Sequence, residues 1–260
     1  MPDSFETIVY GVDGQHVATV RLNRPGSLNA FNQQMCAEFS TVWEKIRIDD
    51  NVHAVVLEAE GDRAFSTGVD VKEPLEFGSN VWNHPDPGEW LGPKQNRVWK
   101  PVVCAVRGMA AGGAFYWLNE SDIIICSPDS TFFDPHVSYG LTAALEPIGL
   151  AHRIPLGEVL RMALLGLDER MSAERALAIG LVSEIVAVDK LHERAHELAS
   201  AIAAKPPAAV QGTVRAIWES LDLGRKAALE RGLAYTEIGN PIGTAGLDRG
   251  SLRGRAWRLR

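Results

Sequence analysis

A chain of 260 residues, 46% of them hydrophobic and 23% charged, can bury one large core or two small ones without disulfides or metals. Its formal net charge of −7 argues against a nucleic-acid partner, which calls for a dominant basic patch. Cys36, Cys104 and Cys126 are too widely spaced for a disulfide framework or a Cys-x-x-Cys site, and they fit a reducing, cytoplasmic setting.

Thr7–Tyr10 and His16–Leu22 read as a hairpin around Gly11-Val12-Asp13-Gly14, with β-branched residues on either side. Asn23-Arg24-Pro25-Gly26 breaks the chain. From Asn32 to Asp49 the residues Met35, Phe39, Val42, Trp43 and Ile46 recur at helical spacing. Ala54–Glu58 reads as a strand that leads into a turn at Ser66–Asp70. Residues Pro74–Trp99 carry Trp82, Trp90 and Trp99 among prolines and glycines. That span is expected to be a long surface excursion with little regular structure; it either covers part of a pocket or is merely anchored by its tryptophans.

Val102–Val106 is the next expected strand, and a helix is expected to begin at Gly112 and run to Asn119. Ile123–Cys126 and Thr131–Phe133 read as two more strands. After Pro155 the pattern turns helical over Leu156–Leu165, Ser172–Ile179, Val188–Lys205, Ala208–Leu221 and Leu223–Glu237. Ser172 suits an N-cap and Gly180 a C-terminal cap. Strands alternating with helices favour an α/β layered fold. Lys205-Pro206-Pro207 marks the expected seam between a core over 1–204 and a terminal helical region over 205–260. No apolar run approaches the roughly 18 residues that cross a bilayer, and the N-terminal residues lack a secretory signal, so no membrane association is expected.

Two glycine-marked turns carry the chemistry: Phe65-Ser66-Thr67-Gly68-Val69-Asp70, and Arg107-Gly108-Met109-Ala110-Ala111-Gly112-Gly113. Each follows an apolar strand and is expected to precede a helix. Such a pair of turns can bring two free backbone N–H groups around one oxygen, where developing negative charge is stabilised. A dinucleotide site is a poor rival, because G-x-G-x-x-G is absent.

These turns, with Leu22-Asn23-Arg24-Pro25, Asn29-Ala30, Lys100-Pro101, Ser121-Asp122-Ile123-Ile124, Ser172-Ala173-Glu174-Arg175-Ala176 and Gly180-Leu181-Val182, resemble the crotonase, or enoyl-CoA hydratase/isomerase, family over almost the whole chain. The resemblance implies a spiral of ββα repeats with a C-terminal helical region that assembles a homotrimer or a dimer of trimers. It implies an acyl-CoA substrate, with coenzyme A arriving as part of the thioester and no resident cofactor or metal. The oxyanion donors would be the N–H groups of Thr67 and Gly113. Leu28, Ala30, Ser66, Val69 and Asp70 would form the coenzyme A region, although Asp70 equally suits a cap for the helix expected after it.

The hydratases of this family carry two glutamates where this chain has Tyr116 and His136. Hydration needs two groups that jointly hold one water, so their absence makes efficient hydratase activity doubtful. His136 is suited to proton transfer near neutral pH, Tyr116 to a hydrogen bond, and Glu146, expected in a loop, to orienting His136 as the third member of a relay. Asp134 is a candidate support behind them. Each has a structural alternative: a hydrogen-bonded loop histidine, a buried helix aromatic and a structural carboxylate. The expected chemistry is an enolate-forming isomerase or C–C hydrolase. The alternative is a catalytically silent acyl-CoA-binding or oligomeric partner. His192 and His196, one turn apart on a charged helix, suit a solvated face better than a metal site. Arg249, Arg253, Arg255, Arg258 and Arg260 suit a solvated terminus better than a contact with a neighbour's coenzyme A phosphates.

Overall fold

A computed structural model describes residues 5–245, 247, 248, 250 and 259. Arg249, Arg253, Arg255, Arg258 and Arg260, named above as a candidate phosphate contact, lie outside the described residues. Contacts within the chain divide it into two compact units, residues 1–204 and 205–260.

The first unit opens with strands β1 (Ile8–Val12) and β2 (Val17–Leu22), paired antiparallel as a hairpin with Ile8 opposite Leu22. Helix α1 (Gln33–Ile48) follows, and Asn32 caps it by accepting from the Met35 N–H at 3.0 Å. Lys45 and Arg47 occupy its last turn, where positive charge favours the helix C-terminus. Met35, Phe39, Val42, Trp43 and Ile46, the residues that share the helical period, are all buried.

From there the chain alternates between two sheets. Strands β3 (Ala54–Ala59), β5 (Val102–Val106) and β7 (Ile123–Cys126) extend the first sheet, and β4 (Ala64–Ser66), β6 (Met109–Ala111) and β8 (Thr131–Phe133) build the second. Each step adds one strand to each sheet, all parallel. This is the spiral repeat that the resemblance implies. Strands β9 (Met171–Ser172) and β10 (Glu184–Ile185) finish the second and first sheets.

Because β3 and β5 are covered on both faces, they read as apolar runs rather than alternating ones, interrupted in β3 only by Glu58. One face packs on α1. The other, through Ala54, Val56, Val103 and Ala105, packs on Leu191, Ala195, Ala199 and Ala203 of the helix Leu191–Ala203. That helix is α7, since five shorter or intermediate ones precede it: α2 (Gly88–Leu91), α3 (Phe115–Glu120), α4 (Leu145–Leu150), α5 (Leu156–Leu165) and α6 (Ala173–Ala178).

Four expectations need correction. No helix follows the turn at Thr67-Gly68; residues 67–80 run as turns and extended chain. Asp70 therefore caps no helix, and its Oδ1 instead accepts the Lys72 and Glu73 N–H groups in a tight turn. The helix after the second turn starts at Phe115, behind a 3-10 turn over Gly112–Ala114. Glu146 lies in the first turn of α4 and not in a loop; Pro147 behind it, tolerated at a helix start, hid that helix.

The fourth correction concerns Pro74–Trp99, which is only half an excursion. Beyond α2, Leu91 and Val98 are fully buried, and the Trp43 indole N–H donates to the Leu91 carbonyl at 2.8 Å. The Lys94 and Gln95 N–H groups donate to one oxygen of Glu120 at 2.6 and 3.0 Å. Trp90 packs against the core, whereas Trp82 is 94% exposed.

The second unit is a pair of antiparallel helices, α8 (Pro207–Ser220) and α9 (Arg225–Thr244). Gly243 lets them approach closely, since a Cβ there would lie 3.1 Å from the Ala209 Cβ. Glu219 accepts from Arg215 at 2.8 Å, from Arg231 at 3.1 Å and from the Tyr235 hydroxyl. Helix α9 runs past the expected end at Glu237 and carries Pro241 inside it, so one backbone bond is given up without ending the helix.

Candidate active site

The two glycine-marked turns meet. The first is fixed by Ser66, fully buried at the end of β4, whose hydroxyl donates to the Asn29 carbonyl at 2.8 Å and accepts the Gly68 N–H at 3.2 Å. Phe31 closes a short bridge with the same turn: its N–H donates to the Gly68 carbonyl at 2.8 Å, and its carbonyl accepts the Asp70 N–H at 2.8 Å. Gly68 has φ +83°, and a Cβ on it would lie 2.8 Å from the Gly113 nitrogen. A Cβ on Gly113 would lie 2.5 Å from the Phe31 ring and 3.3 Å from the Gly68 Cα. Glycine is thus required at Gly68 by close backbone approach and at Gly113 by the buried Phe31 ring.

Among the described residues, no backbone or side-chain acceptor takes the Thr67 N–H. Gly113 is the second residue of its 3-10 turn, a position whose N–H has no partner within the helix. Two adjacent backbone donors are therefore left for something other than the fold.

The segment Leu28–Ala30 is drawn against the first turn. Leu28 and Asn29 both have φ +53°, a conformation that costs non-glycine residues energy. The fully buried Asn29 side chain holds it: Oδ1 accepts the Arg24 N–H at 2.9 Å, and Nδ2 donates to the Glu60 and Ala64 carbonyls at 2.9 Å. Arg24 donates to the Ala30 carbonyl at 2.6 Å and to Asp70 at 2.9 Å. Burial raises the Asp70 pKa, but the Lys72 N–H and the Arg24 guanidinium outweigh it and leave the carboxyl below its usual range. The structure therefore gathers Leu28, Ala30, Ser66, Val69 and Asp70 in one place. Asp70 is spent on internal contacts, and Val69 is the exposed member, at 41%.

The acid–base residues converge beside the second turn. His136 opens a 3-10 turn after Phe133-Asp134-Pro135, and its Cε1 would lie 3.5 Å from a Cβ on Gly112. Asp134 Oδ1 accepts the His136 backbone N–H at 3.0 Å and meets Nδ1 at 2.5 Å. The Asp134 side chain is 2% exposed, and among the described residues its Oδ2 has no hydrogen-bond partner. On the other edge of the ring, Nε2 lies 3.9 Å from Glu146 Oε1. Asp134, and not Glu146, is the group that fixes the imidazole. Glu146 faces the opposite nitrogen.

These contacts set the protonation. The Asp134 hydrogen bond raises the His136 pKa, burial opposes it, and the charges of Asp134 and Glu146 add to the rise. Burial raises the Glu146 carboxyl; the neighbouring His136 opposes this, while Asp134 and Asp86 reinforce it. Tyr116, on α3, stacks edge-on against Phe31 with ring centroids 6.2 Å apart. Burial, then the negative charges of Glu146 and Asp86, hold the phenol well above its ordinary range.

Gly113 abuts Gly68 beside Thr67, His136 abuts Gly112, Glu146 faces His136, and Tyr116 packs on the Phe31 ring that a Cβ on Gly113 would meet, so the five expected residues fall in one neighbourhood. Sequence reasoning gave Asp134 too small a part and missed Asp86. The latter's only signal is Pro85-Asp86-Pro87-Gly88, which reads as an ordinary turn. His192 and His196 go elsewhere, pairing with Glu58 at 2.6 Å and with Asp13 at 2.5 Å.

The description of the enoyl-CoA hydratase/isomerase family matches residues 13–236. The chain is 32% identical over 227 residues to (E)-benzylidenesuccinyl-CoA hydratase of Thauera aromatica, covering 86% of this chain and 85% of that protein. It is 29% identical over 198 residues to 1,2-epoxyphenylacetyl-CoA isomerase of Escherichia coli, covering 73% and 74%. The crystal structure of an enoyl-CoA hydratase/isomerase from Mycobacterium paratuberculosis superposes with a TM-score of 0.87 at 38% identity, covering 99% of this chain and 100% of that one.

Proposed function

The chain belongs to the enoyl-CoA hydratase/isomerase family, and from that premise we propose that it deprotonates an acyl-CoA thioester with His136 as the base. The thioester oxygen sits between the N–H groups of Thr67 and Gly113. Each such donor contributes roughly 3 kcal/mol to the anionic state by analogy with other oxyanion sites. Coenzyme A lies along Leu28, Ala30, Ser66 and Val69, and Asp70 keeps that wall in shape through Arg24. It arrives and leaves as part of the substrate.

The observation that carries the reading is the ordered environment of the imidazole. With Nδ1 committed to Asp134 at 2.5 Å, the proton on the ring is fixed there and Nε2 is the free base. Nε2 takes the α-proton, and the electron pair moves into the thioester as an enolate. Glu146, 3.9 Å away, supports the imidazolium that results. Returning the proton to a different carbon isomerises a double bond, while a water activated by the same pair cleaves a β-dicarbonyl. One shuttling base serves either outcome. Efficient addition of water to an enoyl-CoA is not expected, because Tyr116 and His136 stand where the family's hydratases place glutamates. The helices of residues 205–260 expose Ile217, Leu229, Leu233, Ile238 and Ile242, which suits assembly as a homotrimer or a dimer of trimers.

The test is α-hydrogen exchange of butyryl-CoA in D₂O, followed by mass spectrometry, alongside hydration of crotonyl-CoA. Exchange that drops at least about 100-fold in His136→Ala, with feeble hydration throughout, supports the reading. Robust hydration by the wild type removes the argument from the missing glutamates. Tight binding of butyryl-CoA with no exchange favours a silent acyl-CoA binder instead.

A further inference from the structure

On the reading that His136 draws a proton from an acyl-CoA with Glu146 beside it, we propose that Asn119 is a positioning residue: from the end of α3 its amide grips the backbone of Glu146 and so sets where that carboxylate stands against the imidazole.

Asn119 lies in the last turn of α3, the helix that starts two residues after Gly113. Its side chain is buried, and Nδ2 donates to the Glu146 carbonyl at 2.8 Å. The partner is the same residue whose Oε1 lies 3.9 Å from His136 Nε2. Helix α4 makes room for this bond. Glycine weakens a helix interior, yet Gly149 stands in α4 three residues after Glu146. A Cβ on it would lie 2.6 Å from Asn119 Nδ2, 3.0 Å from Cγ and 3.2 Å from Cβ. The last of these is not the free end of a side chain, so any larger residue at 149 pushes the amide away.

A second grip runs the other way. Arg153, just beyond α4, donates through one nitrogen to the Asn119 carbonyl at 2.9 Å and to the Ser121 carbonyl at 2.7 Å. Arg153 thereby fixes the backbone that carries the amide, and the amide fixes the backbone that carries the carboxylate. Packing alone does not account for the residue type. Asn119 Oδ1 is buried and, among the described residues, has no hydrogen-bond partner. An unsatisfied buried acceptor destabilises a fold, so an apolar side chain would serve packing better. The donor is what the position uses. Gly113, α3, Asn119 and Glu146 thus form one tethered path from the oxyanion turn to the carboxylate, and a charge supports the imidazolium only as well as its distance is kept.

The test follows α-hydrogen exchange of butyryl-CoA in D₂O by the full chain, read as the rate at saturation and the half-saturating concentration. Thermal melts correct each variant for its folded fraction. Glu146→Gln should slow exchange at saturation by about tenfold, the loss of one charge at this separation. Asn119→Leu and Gly149→Ala should each slow it by about threefold or more. The half-saturating concentration should stay within about twofold, because the buried amide is spent on Glu146. Combining Asn119→Leu with Glu146→Gln should be no slower than Glu146→Gln alone, since Asn119 acts through that carboxylate; a merely structural role would make the two losses multiply. Should Asn119→Leu not fold, Gly149→Ala carries the same comparison. Wild-type exchange in the Asn119 and Gly149 variants, an unslowed Glu146→Gln, or multiplied losses in the double variant overturns this assignment alone. Absence of exchange in wild type, or full exchange in His136→Ala, overturns the reading beneath it as well.

Discussion

His136 Nδ1 and Asp134 Oδ1 lie 2.5 Å apart, and the same carboxylate oxygen accepts the His136 backbone N–H at 3.0 Å. One buried oxygen thus fixes both the ring and the main chain that carries it.

Asp134→Asn should lower butyryl-CoA exchange by about 100-fold or more, as an amide no longer enforces the tautomer. The wild-type rate should rise with pH through a midpoint above 6.5, because Asp134 raises the His136 pKa. In the variant that midpoint should fall back toward 6.5. Stability follows the same sign. A histidine whose folded pKa is raised contributes stability below its unfolded value of 6.5, and that contribution is lost as pH climbs through the raised one. Urea titrations between mildly acidic and mildly alkaline pH should show this decline in wild type and a flatter curve in Asp134→Asn. An unchanged midpoint would refute the assignment.

Gly68→Ala should cost at least about 2 kcal/mol of stability. The new methyl meets the Gly113 nitrogen at 2.8 Å and imposes φ +83° on alanine, and neither obstacle is the end of a flexible side chain. Exchange should fall further than the loss of folded protein explains, since the same contact pushes Thr67 and Gly113 apart. Thermal melts paired with the exchange assay would separate the two effects.

Asn29→Ala removes the three hydrogen bonds that hold Leu28 and Asn29 at φ +53°. With the buried partners left unsatisfied, about 3 kcal/mol should be lost. Binding of free coenzyme A, measured by calorimetry, should weaken by about tenfold or more if Leu28–Ala30 forms its wall. Normal affinity would move the coenzyme A site elsewhere.

Trp43→Ala and Trp82→Ala should differ sharply. The first empties a fully buried site and frees the Leu91 carbonyl, which should cost about 3–5 kcal/mol. The second trims a side chain that is 94% exposed and should fall within about 0.5 kcal/mol of wild type. Chemical denaturation of both variants would check this.

Much of the fold was legible because its signals are local. The runs Val102–Val106 and Ile123–Cys126 read as covered strands, and the spacing from Met35 to Ile46 reads as a buried helix face. The site was legible where glycine is irreplaceable, at Gly68 and Gly113. It was illegible where meaning depends on distant contacts. Nothing near Glu146 says that a helix begins there, because Leu145-Glu146-Pro147 also suits a loop. Asp134 and Glu146 are alike as carboxylates, and only the three-dimensional path decides which of them reaches Nδ1. Leu91 is tied down by the Trp43 indole, a pairing far apart in sequence that no local pattern records.

That tie has an evolutionary corollary. Since the chain is pinned again at Leu91, the stretch from Val71 to His84 can lengthen, shorten or change character without dragging Tyr116 and its neighbours out of register. Sequence change can therefore accumulate in that stretch while the residues proposed to move the proton stay in place.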